Sequence, residues 1–345
     1  QIQKKLFLII TAILFSFSIL SCANNVDTFN WISDFSSAKK AAVKENKKIF
    51  LFFSADDADE MSPALKEHVF TTEDFIKTYT EKYVLVNIDY SNARYEAEQE
   101  GLREDMKIFE KYNAQGVPYF LILSKEGYVI TKVAFDADAD LDSARITFSE
   151  AEETIARFDE NLAKTKTGTT EERLAAIDDI FDHTDPSVAY HLTPLNKLYL
   201  SLDKNNASGN SSKHLIALTY AAAEDFFLDE QPEKASQEFV KLAKNKILTD
   251  SEKQMSYYTA GYLLAQSGST EYDKVKEYFQ LAYDADPETE EAQNIQMAIN
   301  YVQMLIDGEG DEAPNYDVPE APAETADVPA EDAVSDTPVA ENPQN

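Results

Sequence analysis

Apolar and polar residues alternate along the chain in blocks that predict three kinds of region. Between residues 31 and 164, short apolar runs typical of buried strands stand between amphipathic patterns typical of helices. Between residues 170 and 306, only helical patterns occur, and short polar turns separate them. Residues 307–345 show neither period. The chain is therefore predicted to hold an α/β region, an all-α region and a tail.

The first region is predicted to fold in the order αβαβαββα. The runs KIFLFF (48–53) and YVLVNIDYS (83–91) predict two buried strands, and residues 119–135 predict two more that form a hairpin. A capping-box pattern at Ser149 is expected to open the last helix, which runs to about Lys164. Alternating strands and helices imply a mixed sheet with helices on both faces.

The composition of the tail separates it from both other regions. Residues 307–345 hold 12 acidic residues, six of the chain's 12 prolines, and no lysine or arginine. Such a segment cannot bury enough apolar surface to order itself, so we predict that it is disordered.

The overall charge narrows the possible partners. The chain of 345 residues has 31 basic and 63 acidic residues, and its formal net charge is −32. Such a surface repels phosphate groups, so the composition argues against nucleic acid as a partner. It also predicts no basic face for anionic lipid. No motif in the sequence indicates a cofactor.

The single cysteine, Cys22, stands at the end of an apolar run near the start of the sequence. Two lysines come first, residues 6–20 are almost continuously apolar, and Ser21 precedes the cysteine. Fifteen residues are too few to span a bilayer and suit the core of a signal peptide. The sequence ILSC resembles the lipobox of bacterial lipoproteins; an ordinary secretory signal with a chance cysteine is the alternative.

The lipoprotein resemblance has consequences for location and for chemistry. It implies cleavage after residue 21, acylation of Cys22 (palmitate among the acyl groups), and a short tether over residues 22–30. Membrane lipid would then be a partner, and the protein would lie in the cell envelope, facing the periplasm or the exterior. Loss of Lys4 and Lys5 would change the net charge to −34. An acylated Cys22 would leave no free thiol, and thiolate catalysis would be excluded.

Residues 31–164 resemble the thioredoxin fold, in particular secreted thioredoxin-like domains that begin with a tryptophan and an alanine-rich helix. Trp31, the strand KKIFLFF, the pair Val69-Phe70 and the segment YNAQGVPYFLIL carry the resemblance. The last segment matches the cis-proline loop of that family. The resemblance therefore implies that the Val117-Pro118 bond is cis, an isomer that is uncommon and usually specified by the fold.

The same alignment places the family's two redox cysteines on Asp59 and Ser62. Thiol–disulfide exchange needs a thiolate to attack and a second thiol to resolve the mixed disulfide. Asp and Ser supply neither group. The strand positions that align with a buried acid of thioredoxins, Phe52 and Phe53, are apolar. We therefore predict a redox-inactive domain that is not an enzyme.

The helical region 170–306 resembles tetratricopeptide repeats, most clearly from residue 258 to residue 292. In such repeats, small residues let paired helices approach and aromatic residues fill the space between repeats. The following positions of the chain match the consensus: Gly261, Tyr272, Val275, Phe279, Ala282, Asp286 and Pro287. A weaker copy places Ala235 and Phe239 at equivalent positions, 40 rather than 34 residues earlier.

Acidic clusters raise the possibility of a cation site. The stretch SADDADE (54–60) follows the first strand, and Asp136, Asp138 and Asp140 begin like a calcium-binding loop. Helix capping explains the first cluster more simply. The second cluster has Leu141 where such a loop needs glycine. No metal site is assigned, although an irregular calcium site stays an alternative.

Together these patterns predict a membrane-anchored extracytoplasmic lipoprotein that acts as an adaptor or scaffold. Its thioredoxin-like domain would bind a protein or peptide in a groove formed by Asp57, Asp59, Ser62, Val117 and Pro118. Two other functions stay open at this point. One is a relative of thiol–disulfide oxidoreductases in envelope redox or protein quality control, and the other is a surface protein that binds divalent cations.

Overall fold

The computed structural model describes residues 31–97 and 99–308. The predicted signal segment, Cys22, the predicted tether and residues 309–345 of the tail lie outside the described residues. The chain divides into two compact units, Gln1–Asp229 and Glu230–Asn345. Within the described ranges, no helix is long and apolar enough to cross a membrane.

A four-stranded mixed sheet forms the centre of the first unit. Its strands are β1 (Lys48–Ser54), β2 (Tyr83–Asp89), β3 (Tyr119–Leu123) and β4 (Val129–Val133). The spatial order is β2-β1-β3-β4, with β1 parallel to β2 and the other two pairings antiparallel. This topology confirms the predicted mixed sheet.

The helices of the first unit surround the sheet in the predicted order. Around the strands lie α1 (Phe35–Glu45), α2 (Met61–Leu65), a π-helical turn (Lys66–Phe70), α3 (Glu73–Tyr79), α4 (Asn92–Ala97) and α5 (Gln99–Lys111). After β4 come α6 (Leu141–Glu150), α7 (Glu152–Thr167), α8 (Thr170–Asp182), α9 (Pro186–Ala189), α10 (Thr193–Leu202) and α11 (Ser211–Leu228).

Successive side chains of β1 point to opposite faces of the sheet and belong to two separate cores, one on each face. Phe50 and Phe52 join one core, where the ring of Phe52 stacks on Phe120 at 4.7 Å between centroids. Leu51 and Phe53 join the core on the opposite face. Because every residue from Ile49 to Ser54 is buried, the strand reads as a continuous apolar run rather than an alternating one.

The helix predicted to run from Ser149 to about Lys164 is α7, which begins at Glu152, and a further helix that was not predicted, α6, precedes it. Asp140 caps α6 by accepting a hydrogen bond from the Ser143 backbone N–H at 2.9 Å, and the Ser143 side chain closes a capping box. Ser149 lies inside α6, and Ala151 alone separates α6 from α7. The predicted capping box at Ser149 was wrong, because Ser149 lies inside α6 and the N-cap of α7 is Ala151, which makes no side-chain capping bond.

The helices after β4 share the core of the sheet. Ile177 and Ile180 from α8 and Tyr199 from α10 belong to the same buried cluster as Phe50. The compact units therefore divide at Asp229, whereas the sequence placed a domain boundary between residues 164 and 170. The sequence showed that the helices after β4 have apolar faces, but it did not show that these faces pack into the core of the sheet.

The second unit consists of helices only within the part that the structure describes. These are α12 (Pro232–Ala243), α13 (Asp250–Gln266), α14 (Tyr272–Ala285) and α15 (Glu291–Ile306), each packed on the next. A Cβ on Gly261 would lie 2.7 Å from the Phe279 ring, so only glycine permits this approach of α13 and α14. Tyr272, in contrast, is 36% exposed and contributes little to the core.

Candidate functional site

Three segments meet at one edge of the sheet. Ser54 at the end of β1 pairs with Asp89 at the end of β2, and Phe53 pairs with Tyr119 at the start of β3. The turn after β1, the chain after β2 and the loop before β3 therefore leave the sheet at the same edge. Ends of parallel strands are common places for binding sites in α/β folds.

The two positions aligned with the redox pair are linked to each other. Asp59 accepts hydrogen bonds from the backbone N–H and the hydroxyl of Ser62, both at 2.6 Å. The Ser62 hydroxyl is fully buried and also accepts a bond from the Ala55 N–H at 3.4 Å. These bonds close the turn of residues 55–62 and start α2, the role of a helix cap.

The other acids of the turn also bind within the protein. Asp57 accepts from the backbone N–H groups of Asn92 and Ala93, at 2.9 and 3.1 Å, and so caps α4. Asp56 pairs with Lys66 at 2.6 Å. The carboxylates thus face different partners instead of converging on one point.

Lys66 is the residue of this site that sequence reasoning missed. Its side chain is only 11% exposed and donates to Asp56 and to the Ser54 hydroxyl, the latter at 3.1 Å. Asn87 on β2 donates to the same hydroxyl at 2.8 Å. A signal was present, since Lys66 lies in the apolar stripe of its helix, one residue after buried Leu65.

The loop before β3, unlike the turn after β1, has backbone groups without hydrogen-bond partners among the described residues. The Val117-Pro118 peptide bond is cis, as predicted. Val117 and Pro118 are half-buried, and Gln115 and Gly116 are exposed. Within the described residues, neither the N–H nor the C=O of Val117 has a hydrogen-bond partner.

An ion pair braces the segment that follows β2. Arg94 donates to the Asp89 carbonyl at 2.9 Å and pairs with the Asp105 carboxylate at 2.5 Å. Burial raises the pKa of Asp105 above its usual value, and the charge of Arg94 only partly opposes this effect. The pair fixes α4 against α5 and does not enter the turn.

A second buried polar cluster lies among the helices of the first unit. Fully buried His214 contacts Asp178 at 3.0 Å and Asn196 at 2.8 Å. Burial would raise the pKa of Asp178, but hydrogen bonds from His214 and Lys213 outweigh it and hold the pKa well below its usual range. All four groups face one another, which is the arrangement of a structural cluster.

Metal ligands do not converge in the part of the chain that the structure describes. No group of three or more His, Cys, Asp or Glu side chains there could hold an ion. In the run that resembled a calcium loop, Asp140 serves as the cap of α6.

Comparison with known proteins identifies two parts of the chain. Residues 35–136 match the family described as the thioredoxin-like domain, and residues 211–307 match a family described as an uncharacterised protein C-terminal domain. The chain therefore contains a thioredoxin-like domain followed by a helical C-terminal domain.

Two individual proteins are similar to the chain. A protein of Treponema pallidum (strain Nichols), described as an uncharacterized protein, is 21% identical over 235 residues, which cover 67% of this chain and 77% of that protein. A solved structure described as DsbH oxidoreductase shares 16% identity with a TM-score of 0.33, and the match covers 38% of this chain and 91% of that one.

Proposed function

We propose that this protein is a lipid-anchored, extracytoplasmic adaptor whose thioredoxin-like domain binds a protein or peptide without thiol chemistry. An extended segment of the partner would lie along the loop before β3 and pair with the backbone of Val117. The observation that carries the proposal is the Val117 N–H and C=O, which have no partner within the described residues. Extended peptides bind to such backbone groups by strand addition.

The turn after β1 supports the absence of redox chemistry. Asp59 and Ser62, which align with the thiols of the thioredoxin family, bond to each other, and residues 31–308 contain no cysteine. Neither a carboxylate nor a hydroxyl can form a mixed disulfide. In this proposal the turn forms one wall of the groove and contributes shape.

The proposal also includes an acyl anchor at Cys22 and tetratricopeptide-like repeats in the second unit. The lipobox-like ILSC sequence supports acylation of Cys22, which would hold the domain at a membrane. The close packing of Gly261 on Phe279 supports tetratricopeptide-like repeats in the second unit, which would offer a further protein-binding surface.

Site-specific photo-crosslinking in intact cells tests the binding site. A photoreactive residue would replace exposed Gln115, and a control would replace Ile146, which is 60% exposed on α6. We expect one partner peptide to be crosslinked repeatedly from position 115 and not from position 146. Identical products from both positions would refute binding at the loop.

A dithiothreitol-coupled insulin reduction assay tests the lack of thiol chemistry. The purified chain should not raise the rate above that of dithiothreitol alone, because Asp59 and Ser62 cannot exchange disulfides. A rate that increases with protein concentration would show that the domain acts as an oxidoreductase.

A further inference from the structure

Helix α1 carries a basic solvent face, which the overall charge of the chain did not predict. One side of the helix, with Phe35, Ala38 and Ala42, is buried against the sheet. On the opposite side, Lys40 and Lys44 are exposed and flank Val43, which is 59% exposed. The exposed side is therefore basic with one apolar residue at its centre.

The local charge of this segment is opposite to that of the whole chain. Residues 34–48 contain five lysines and two acidic residues, whereas the chain has a net charge of −32. Lys47 pairs with Glu45 and Lys48 with Asp159. Lys40 and Lys44 make no ion pair with any residue that the structure describes, so their charges are available to an external anion.

The number of residues between Cys22 and the folded domain limits how far α1 can lie from the membrane surface. Eight residues, 23–30, separate Cys22 from Trp31, which is buried in the core of the domain. A fully extended chain of this length spans at most about 30 Å. If Cys22 is acylated, as proposed above, α1 is the first described element beyond the membrane surface.

We infer that the exposed face of α1, formed by Lys40, Val43 and Lys44, rests on the anionic headgroups of the membrane. The inference depends on the proposed acylation of Cys22, which supplies most of the membrane affinity. The lysines supply orientation, since the acidic remainder of the protein is repelled by the same surface. The thioredoxin-like domain would thus have a defined orientation on the bilayer.

Amine labelling of the full chain, produced in cells with residues 1–22 present, tests the orientation on vesicles. Vesicles of phosphatidylcholine alone would be compared with vesicles in which about one lipid in three is phosphatidylglycerol, a charge density that attracts lysines. Lys77, exposed on α3 of the same domain, is the internal control. Flotation of the vesicles shows whether the chain is bound, and mass spectrometry gives the labelling rate of each lysine.

We expect the chain to float with both kinds of vesicle. On the anionic vesicles alone, labelling of Lys40 and Lys44 should fall at least about threefold, as expected for charged groups that contact the surface. The protection should vanish at about 1 M NaCl, where the Debye length is about 3 Å. Lys77 should label equally under all conditions. A Lys40→Glu, Lys44→Glu variant should still float with both kinds of vesicle, because the acyl anchor rather than these lysines supplies most of the membrane affinity.

The other possible outcomes distinguish the proposed acyl anchor at Cys22 from the proposed orienting face of α1. If the chain floats and Lys40 and Lys44 label like Lys77, the acyl anchor stands and the orienting face is refuted. Equal protection on neutral vesicles would also refute it, because charge would then play no part. If the chain does not float with neutral vesicles, the proposed acylation fails, and the inference that depends on it fails as well.

Discussion

The turn after β1 and the loop before β3 lie at the same sheet edge but use their polar groups in opposite ways. In the turn, Asp57 and Asp59 accept hydrogen bonds from backbone N–H groups of the protein itself. In the loop, the backbone of Val117 has no described partner. The polar groups of the turn are bonded within the protein, whereas no described residue bonds to the Val117 backbone.

The comparison shows that the position of a segment in the fold does not by itself determine what its polar groups bind. The resemblance to the thioredoxin family predicts a redox pair at the turn, and the side chains there act as caps and as an ion pair. Such contacts stabilise the fold by about 1 kcal/mol each. Mutations in the turn should therefore reduce stability, and mutations in the loop should not.

The largest effect is expected at Lys66. Lys66→Ala removes a nearly buried side chain together with its bonds to Asp56 and Ser54. The free energy of unfolding should fall by about 2–3 kcal/mol. Urea titration followed by fluorescence of Trp31, which packs on Phe52 and Phe70 in this domain, measures the change. The matched control is Lys77→Ala, at an exposed position of α3. An equal change in the free energy of unfolding of both variants would contradict the structural role of Lys66.

A smaller loss of stability is expected at Asp59. Asp59→Ala removes both hydrogen bonds to Ser62 and should lower the free energy of unfolding by about 1–2 kcal/mol, the usual cost of losing a helix cap. Glu60→Ala is the control, because the Glu60 side chain makes no capping bond. If the two variants unfold at the same urea concentration, the turn is not held closed by Asp59.

At Asp57 the effect should be local. Asp57→Ala removes the cap of α4 and should destabilise that helix by about 1 kcal/mol. Hydrogen exchange of residues 92–97 should become several times faster, since a change of 1.4 kcal/mol in local opening corresponds to a factor of about ten. Asp57→Asn, which keeps an acceptor oxygen, should stay near the wild-type rate. Unchanged exchange in Asp57→Ala would show that α4 needs no cap.

In the loop, almost no effect on stability is expected. A Cβ on Gly116 would have no atom within 4 Å, and the residue does not adopt a positive φ. Gly116→Ala should therefore change the free energy of unfolding by less than about 0.5 kcal/mol. A loss as large as that of Asp59→Ala would mean that the loop, too, is committed to internal packing.

The strands and most helices could be predicted because their periodicity is local. The apolar runs 48–53 and 83–91 form β1 and β2, where the pattern placed them. Long-range packing has no such local signal. The helices that contribute Ile177 and Tyr199 to the core of the sheet were assigned to a separate domain for this reason.

In the candidate site, the cis bond before Pro118 was predicted correctly, but the hydrogen bonds of the turn were not predicted. Resemblance to a family located Asp59, Ser62 and the cis bond before Pro118. It could not show that Asp59 bonds to Ser62, because that contact depends on the path of the turn. Lys66 could have been found from the sequence, since a lysine in an apolar helix stripe indicates a buried charge that needs a partner.

One measurement tests most directly whether this domain binds a partner through the loop without thiol chemistry. Cells that carry the photoreactive residue at position 115 would be irradiated with and without prior alkylation of all accessible thiols, and the products would be separated with and without reductant. The account predicts the same crosslinked partner, in the same yield, under all four conditions. Loss of the product after alkylation would contradict it, because capture would then depend on a thiol.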